Sequence, residues 1–163
     1  MKRPTKIEYG MILAMTAALR ASCPRRKVGC IFVDERDHVL STGYNGPPAG
    51  MVNCTDVACA GACSKSGEGL NLCQAIHAEA NALLQCRDVQ QIKTAFVTAA
   101  PCWECTKMLL NTSCKRIVYL QPYPHEQANK MWRGAGRELV SVFDLVGEDS
   151  IIHQIAELYG FSI

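Results

Sequence analysis

Apolar residues recur three and four apart near the start of the chain. Ile7, Met11, Met15 and Ala18 fall on one helical face. Thr5-Lys6-Ile7-Glu8 reads as a capping box, the threonine hydroxyl taking one orphan amide and the glutamate reaching back. The pattern predicts a first helix over residues 5–21, with its methionines in the core. Pro24 cannot continue a helix, so Cys23 and the cations Arg25, Arg26 and Lys27 fall in a loop. The β-branched run 28–33, the polar turn 34–37 and the run 38–44 read as a hairpin, with His38 exposed beside the turn. Further helices are expected over 75–87, 102–111, 126–132 and 150–159, and strands over 94–98, 116–120 and 138–143. Ile151, Ile152, Ile155 and Leu158 form an apolar stripe that packs on its own domain or on a neighbouring subunit.

Residues 51–74 break this rhythm. They hold Cys54, Cys59, Cys63 and Cys73 among small and polar residues. A segment so poor in large apolar side chains makes no core, and a metal staple accounts for its order. The expected staple is a structural Zn²⁺ on those four thiolates, with Cys30 or Cys86 able to replace one ligand. The other reading is free thiols. Cys23 is expected to be a free thiol near the surface, and Cys114 a structural, inert one.

At 163 residues, 48% hydrophobic and 20% charged, the chain fits one domain, 1–163, interrupted by that insert. No apolar run reaches the length of a membrane span, and Met1-Lys2-Arg3-Pro4 lacks the apolar core of a signal peptide. A cytoplasmic location is therefore expected. Ten cysteines in a reducing compartment favour metal binding over disulfides. A net charge of +2 argues against a nucleic-acid partner.

The chemistry concentrates in His77-Ala78-Glu79 and Pro101-Cys102-Trp103-Glu104-Cys105. One imidazole and two thiolates suit a catalytic Zn²⁺ that keeps a fourth position for water. A carboxylate that is not a ligand must shuttle protons, and Glu79 stands two residues from the expected ligand His77. Each half opens a predicted helix, whose N-terminus favours thiolate at Cys102 and Cys105. The competing reading is a buried histidine beside a reduced or redox-active C-x-x-C pair. H-x-E followed by P-C-x-x-C is the signature of zinc nucleobase deaminases, which these residues resemble.

Other segments offer binding groups. Three adjacent cations in a loop are either solvated or, if the substrate carries phosphate, engaged with it. In Gly43-Tyr44-Asn45-Gly46-Pro47-Pro48-Ala49-Gly50, glycines allow close backbone approach and prolines stiffen the path. Asn45 donates and accepts at once, which suits a sugar hydroxyl or a base edge. Tyr123 lies at a strand end, where it either stacks beside the base or packs structurally. Trp103 is equally divided between pocket and core.

Four motifs in order now carry a resemblance over residues 5–143. They are Cys23-Pro24-Arg25-x-x-Val28-Gly29, Gly43-Tyr44-Asn45-Gly46-x-Pro48-x-Gly50, His77-Ala78-Glu79 and Pro101-Cys102-x-x-Cys105. Together with the cysteine-rich insert they resemble the deoxycytidylate (dCMP) deaminase family. The resemblance implies an α/β, three-layer cytidine-deaminase-like fold with a mixed five-stranded sheet flanked by helices. It implies hydrolysis of dCMP to dUMP, with Glu79 catalytic and His77, Cys102 and Cys105 on zinc. Ala78 would meet the base carbonyl through its backbone, Asn45 the sugar, and Arg26 or its neighbours the phosphate. It further implies a homohexamer activated by dCTP and inhibited by dTTP. Lys27, Gly43, Tyr44, Gly46, Pro48 and Gly50 would form the effector site, and Mg²⁺ would accompany the triphosphate. The alternative is a deaminase acting on dCTP, or on cytosine or adenine in nucleic acid.

Overall fold

The computed structural model describes residues 3–64, 68–69 and 72–162. Residues 65–67, 70 and 71 of the insert lie outside them, as do Met1, Lys2 and Ile163.

Helix α1 spans Lys6–Ala18, and its start is the expected capping box. Thr5 Oγ1 accepts from the Glu8 amide at 3.2 Å, and Glu8 Oε2 accepts from the Thr5 amide at 2.7 Å. Met11, Met15 and Ala18 of the expected face are fully buried and Ile7 is half-buried. Strands β1 (Gly29–Val33) and β2 (Val39–Tyr44) form the hairpin, with Gly29 opposite Tyr44. The remaining elements are α2 (Ala78–Gln85), β3 (Thr94–Ala99), α3 (Trp103–Leu110), β4 (Arg116–Gln121), α4 (Glu126–Gly134), β5 (Glu138–Ser141) and α5 (Ile151–Leu158).

The strands form one sheet in the order β2-β1-β3-β4-β5. β1 is antiparallel to β2 and β3, whereas β3, β4 and β5 run parallel. Side chains alternate across the sheet, so β1 sends Cys30 and Phe32 to one face and Ile31 and Val33 to the other. The first face packs on α2, α3 and α4 through Ala78, Leu109 and Trp132. The second packs on α1 and α5 through Met11, Met15, Ile152 and Ala156. Burial on both faces explains why β1 and β3 read as unbroken apolar runs rather than alternating ones. The α5 stripe therefore packs on the chain's own α1 and sheet, and only its end residue Leu158 stays 78% exposed.

Several boundaries move. Helix α1 ends at Ala18 rather than 21. Helix α2 begins at Ala78 rather than 75, because Ile76 is held extended by paired backbone bonds to Gly46, at 2.8 and 3.2 Å. Helix α3 begins at Trp103, with Cys102 as its cap. The last strand stops at Ser141, whose hydroxyl accepts from the Phe143 amide at 3.3 Å and opens a 3₁₀ turn over Val142–Asp144. Among the described residues no helix is long and apolar enough to cross a membrane.

Gly43 decides how α2 sits. A Cβ there would collide with the Ala78 carbonyl oxygen and the Ala82 amide nitrogen. Backbone thus lies directly on backbone, at the turn that carries His77 and Glu79. Gly43→Ala is expected to lift α2 and destabilise the protein by about 1–3 kcal/mol, the usual cost of overpacking. Urea unfolding checks this, and an unchanged midpoint would show that α2 yields freely.

Candidate active site

Two helix N-termini meet beyond the end of β3. His77 caps α2 with extended backbone (φ −70°, ψ 155°), and Cys102 caps α3 in the same way (φ −72°, ψ 174°). The His77 side chain makes no capping bond to α2, and the Cys102 sulfur meets Cys105 in the first turn of α3. His77 Nδ1 lies 3.4 Å from Cys102 Sγ and 3.5 Å from Cys105 Sγ. Zn–S of about 2.3 Å and Zn–N of about 2.0–2.1 Å at tetrahedral angles would put nitrogen and sulfur about 3.6 Å apart. The residues therefore fit zinc with little adjustment. Among the described residues this is the one group of three or more His, Cys, Asp or Glu with ligand atoms all within 4.8 Å.

Glu79 lies in the first turn of α2 and is only 4% exposed. Burial pushes its carboxyl above the usual range, against the pull of its own backbone amide and of His77. A proton is thus held more readily there than on a surface glutamate. The Cys105 thiol's hydrogen bond, helped by His77, pulls Cys102 down to about 3. Sharing with Cys102 and burial push Cys105 up. The bond to Cys102 raises His77. Cys102 is thus held as thiolate, the form in which a cysteine binds a metal dication.

These groups form the floor of a cavity of about 430 Å³. Arg26, Asn45 and Tyr123 line its wall, and Ala78 borders the floor. That volume is in the range of small-molecule sites, which run roughly 300–1,000 Å³.

The Cytidine and deoxycytidylate deaminase zinc-binding region matches residues 4–121. The chain belongs to this deaminase family. A deoxycytidylate deaminase of Saccharomyces cerevisiae is 38% identical over 137 residues, covering 82% of this chain and 44% of the yeast protein. A deoxycytidylate deaminase of Mycobacterium phage D29 is 41% identical over 125 residues, covering 73% of this chain and 97% of the phage protein. The chain thus spans less than half of the yeast relative and nearly all of the phage one. Among solved structures, the dCMP deaminase of cyanophage S-TIM5 in complex with dCMP and dUMP superposes with a TM-score of 0.68. It is 26% identical and covers 86% of this chain and 99% of its own. The mixed five-stranded sheet expected from the motifs is the fold of these deaminases.

In this family member the wall residues are already engaged with the scaffold. Asn45 Oδ1 accepts from the Val28 amide at 2.8 Å, and its Nδ2 donates to the Arg26 carbonyl at 2.8 Å. Asn45 therefore braces the loop that carries Arg26. The three cations divide: Arg25 Nη1 donates to the carbonyls of Gly61 (2.9 Å) and Glu68 (3.3 Å), Arg26 stays on the wall, and Lys27 is exposed. Trp103 stacks on His125 at 6.0 Å, and His125 caps α4 through Nδ1, 3.4 Å from the Ala128 amide. Gly43 is buried against α2, and Gly46 is buried where it bridges to Ile76. Gly50 is exposed and left-handed (φ 85°), a turn glycine.

Cys63 is exposed. Cys23, expected near the surface, is 7% exposed and lies close enough to Cys54 to act on its charge. Cys59 bonds the thiols of both Cys54 and Cys73. Backbone amides of Gln74 and Gly61 also point at it, and the Gln74 amide is the main reason its thiol falls below the usual range. The sequence offered no sign that Cys23 lies against Cys54, because 31 positions separate the two. Cys114 is buried as expected, and burial pushes its thiol up to about 11.

Proposed function

We propose that this chain converts dCMP to dUMP by hydrolytic deamination. The observation that carries the reading is a buried glutamate beside a zinc-fitting His-Cys-Cys group at the floor of a nucleotide-sized cavity. The relatives' names supply the substrate. His77, Cys102 and Cys105 hold the zinc, which when bound supplies the Lewis acidity that makes water nucleophilic at neutral pH.

The chain's own residues do the rest. Glu79 accepts a proton as the water oxygen bonds to C4 of the cytosine, and passes it to N3. It next takes the proton of the new C4 hydroxyl and delivers it to the exocyclic amine, and the C4–N bond breaks to release ammonia and leave the C4 carbonyl. The raised proton affinity of Glu79 suits a group that must both take and give at neutral pH. The Ala78 amide, at the first position of α2, has no intrahelical acceptor and is assigned to the base carbonyl. Tyr123 borders the base, Asn45 the sugar and Arg26 the 5′-phosphate.

A second, structural Zn²⁺ belongs to the reading, held by Cys54, Cys59, Cys63 and Cys73. Amides aimed at Cys59, together with its sulfur contacts, support a thiolate site there. All ten cysteines are free thiols, which fits a reducing cytoplasm. A homohexamer activated by dCTP with Mg²⁺ and inhibited by dTTP follows the family resemblance. The exposed Lys27 and the turn ending at Gly50 are the parts of the effector segment open to a ligand.

An ultraviolet assay on deoxycytidine, dCMP, dCTP and a short single-stranded oligonucleotide tests this, with zinc counted per chain. We expect turnover of dCMP alone, hyperbolic with dCTP and sigmoidal without it, and about two zinc ions per chain. Turnover confined to the oligonucleotide sinks the substrate assignment. Indifference to dCTP and dTTP removes the effector site.

A further inference from the structure

We infer that Gln121 is a positioning residue for phosphate recognition, orienting Arg26 from the end of β4 through a bond to the chain's C-terminal tail. The inference rests on the dCMP reading for the identity of the group that Arg26 meets.

Three contacts define the relay. Arg26 Nη2 donates to Gln121 Oε1 at 3.2 Å. Gln121 Nε2 donates to the Ser162 carbonyl at 2.7 Å. The Arg26 guanidinium also lies over the Tyr123 ring, 5.8 Å from its centroid. Gln121 is pinned from behind as well, because its carbonyl accepts from the Ala100 amide at 2.9 Å, one residue before Pro101 and the zinc loop. Its amide is thus fixed relative to the reacting centre.

The tail is equally fixed. Gly160 takes the left-handed conformation (φ 74°) at the end of α5. The Phe161 amide then returns to the Ala156 carbonyl at 2.8 Å and the Gly160 amide to the Glu157 carbonyl at 3.0 Å, a Schellman ending. Phe161 packs on the core beneath α1 and α5. This geometry delivers the Ser162 carbonyl to Gln121 from a rigid base.

The chemistry requires an amide. A carbonyl must be met by a donor and a guanidinium by an acceptor, and one glutamine side chain does both in a single orientation. Glutamate would accept from Arg26 but turn a second acceptor toward the Ser162 carbonyl. It would also neutralise the charge that a phosphate is meant to find. A neutral acceptor holds the guanidinium in place and leaves its charge and its other N–H groups for a bidentate anion. A long side chain held in this way loses less freedom when the anion binds.

The test is a double-mutant cycle on the full chain loaded with zinc, using dCMP. Gln121→Ala is expected to raise KM about tenfold, the scale of one charge-assisted hydrogen bond, with kcat changed by less than about twofold. Gln121→Glu is expected to raise KM further. In an Arg26→Ala background, Gln121→Ala is expected to add less than about twofold, since residues acting as one unit are not additive. An equal rise in both backgrounds overturns the inference, and so does an unchanged KM for Gln121→Ala or a lowered one for Gln121→Glu. A kcat loss matching the KM rise would show a merely structural role and also overturns it. A wild-type protein that leaves dCMP intact defeats the dCMP reading instead. The same cycle read as calorimetric Kd values for dUMP then decides the role of Gln121.

Discussion

Glu79→Gln is expected to cut dCMP turnover by about 10⁴-fold, the upper range for a general acid–base group, while zinc content stays at the wild-type level. The amide keeps the size and much of the hydrogen bonding of the carboxyl but carries no transferable proton. Glu79 is not among the three groups whose spacing fits the metal, so its loss leaves the ligand set whole. Metal analysis beside a steady-state assay checks both halves, and turnover within tenfold of wild type would remove Glu79 from the proton pathway. A stability signature accompanies it in the metal-free protein. Burial raises the carboxyl's folded pKa above its unfolded value, so the folded state binds more protons. Stability is then lost as pH rises from the unfolded pKa, near 4.5, through the folded one. Glu79→Gln removes that loss, so its thermal midpoint should exceed that of metal-free wild type by a margin that grows with pH.

Cys102→Ser is expected to abolish measurable turnover together with catalytic-site zinc, the second large effect. A serine hydroxyl stays protonated where Cys102 is held as thiolate by the Cys105 and His77 hydrogen bonds. Two ligands then remain where a catalytic zinc uses three. Zinc counted per chain should fall by about one. A Cys102→Ser protein that keeps both its zinc and its rate would separate the C-x-x-C pair from the metal. Reconstitution with added zinc distinguishes a weakened site from a lost one.

Most elements were legible because their signals are local. The α1 capping box lies within four residues, and its burial follows from spacing alone. The hairpin was readable from two β-branched runs around a polar turn, and the start of α3 to within one residue from a proline before an apolar run. The start of α2 was set from outside the element. Gly46 holds Ile76 out of α2 across 30 positions, which no propensity of residues 75–77 records. The cysteines of the insert show the same limit. Their number and the scarcity of apolar neighbours pointed to a staple, but only chain packing sets Cys23 beside Cys54 and leaves Cys63 in solvent.

By itself, the order of residues determined the reactive parts: an imidazole, a free carboxylate two positions on, and a sulfur pair one turn apart on another helix. Short spacing fixes relative placement within each helix start, because backbone geometry there has few choices. Tertiary structure decided what brings the two starts together and what surrounds them. Gly43 lets α2 lie against the sheet, β3 and β4 aim the zinc loop, and a carbonyl at Ser162 reaches a glutamine 41 positions earlier to steady an arginine. Such contacts depend on the packing of whole elements, whose energy is spread over the core and is written in no single stretch of the chain.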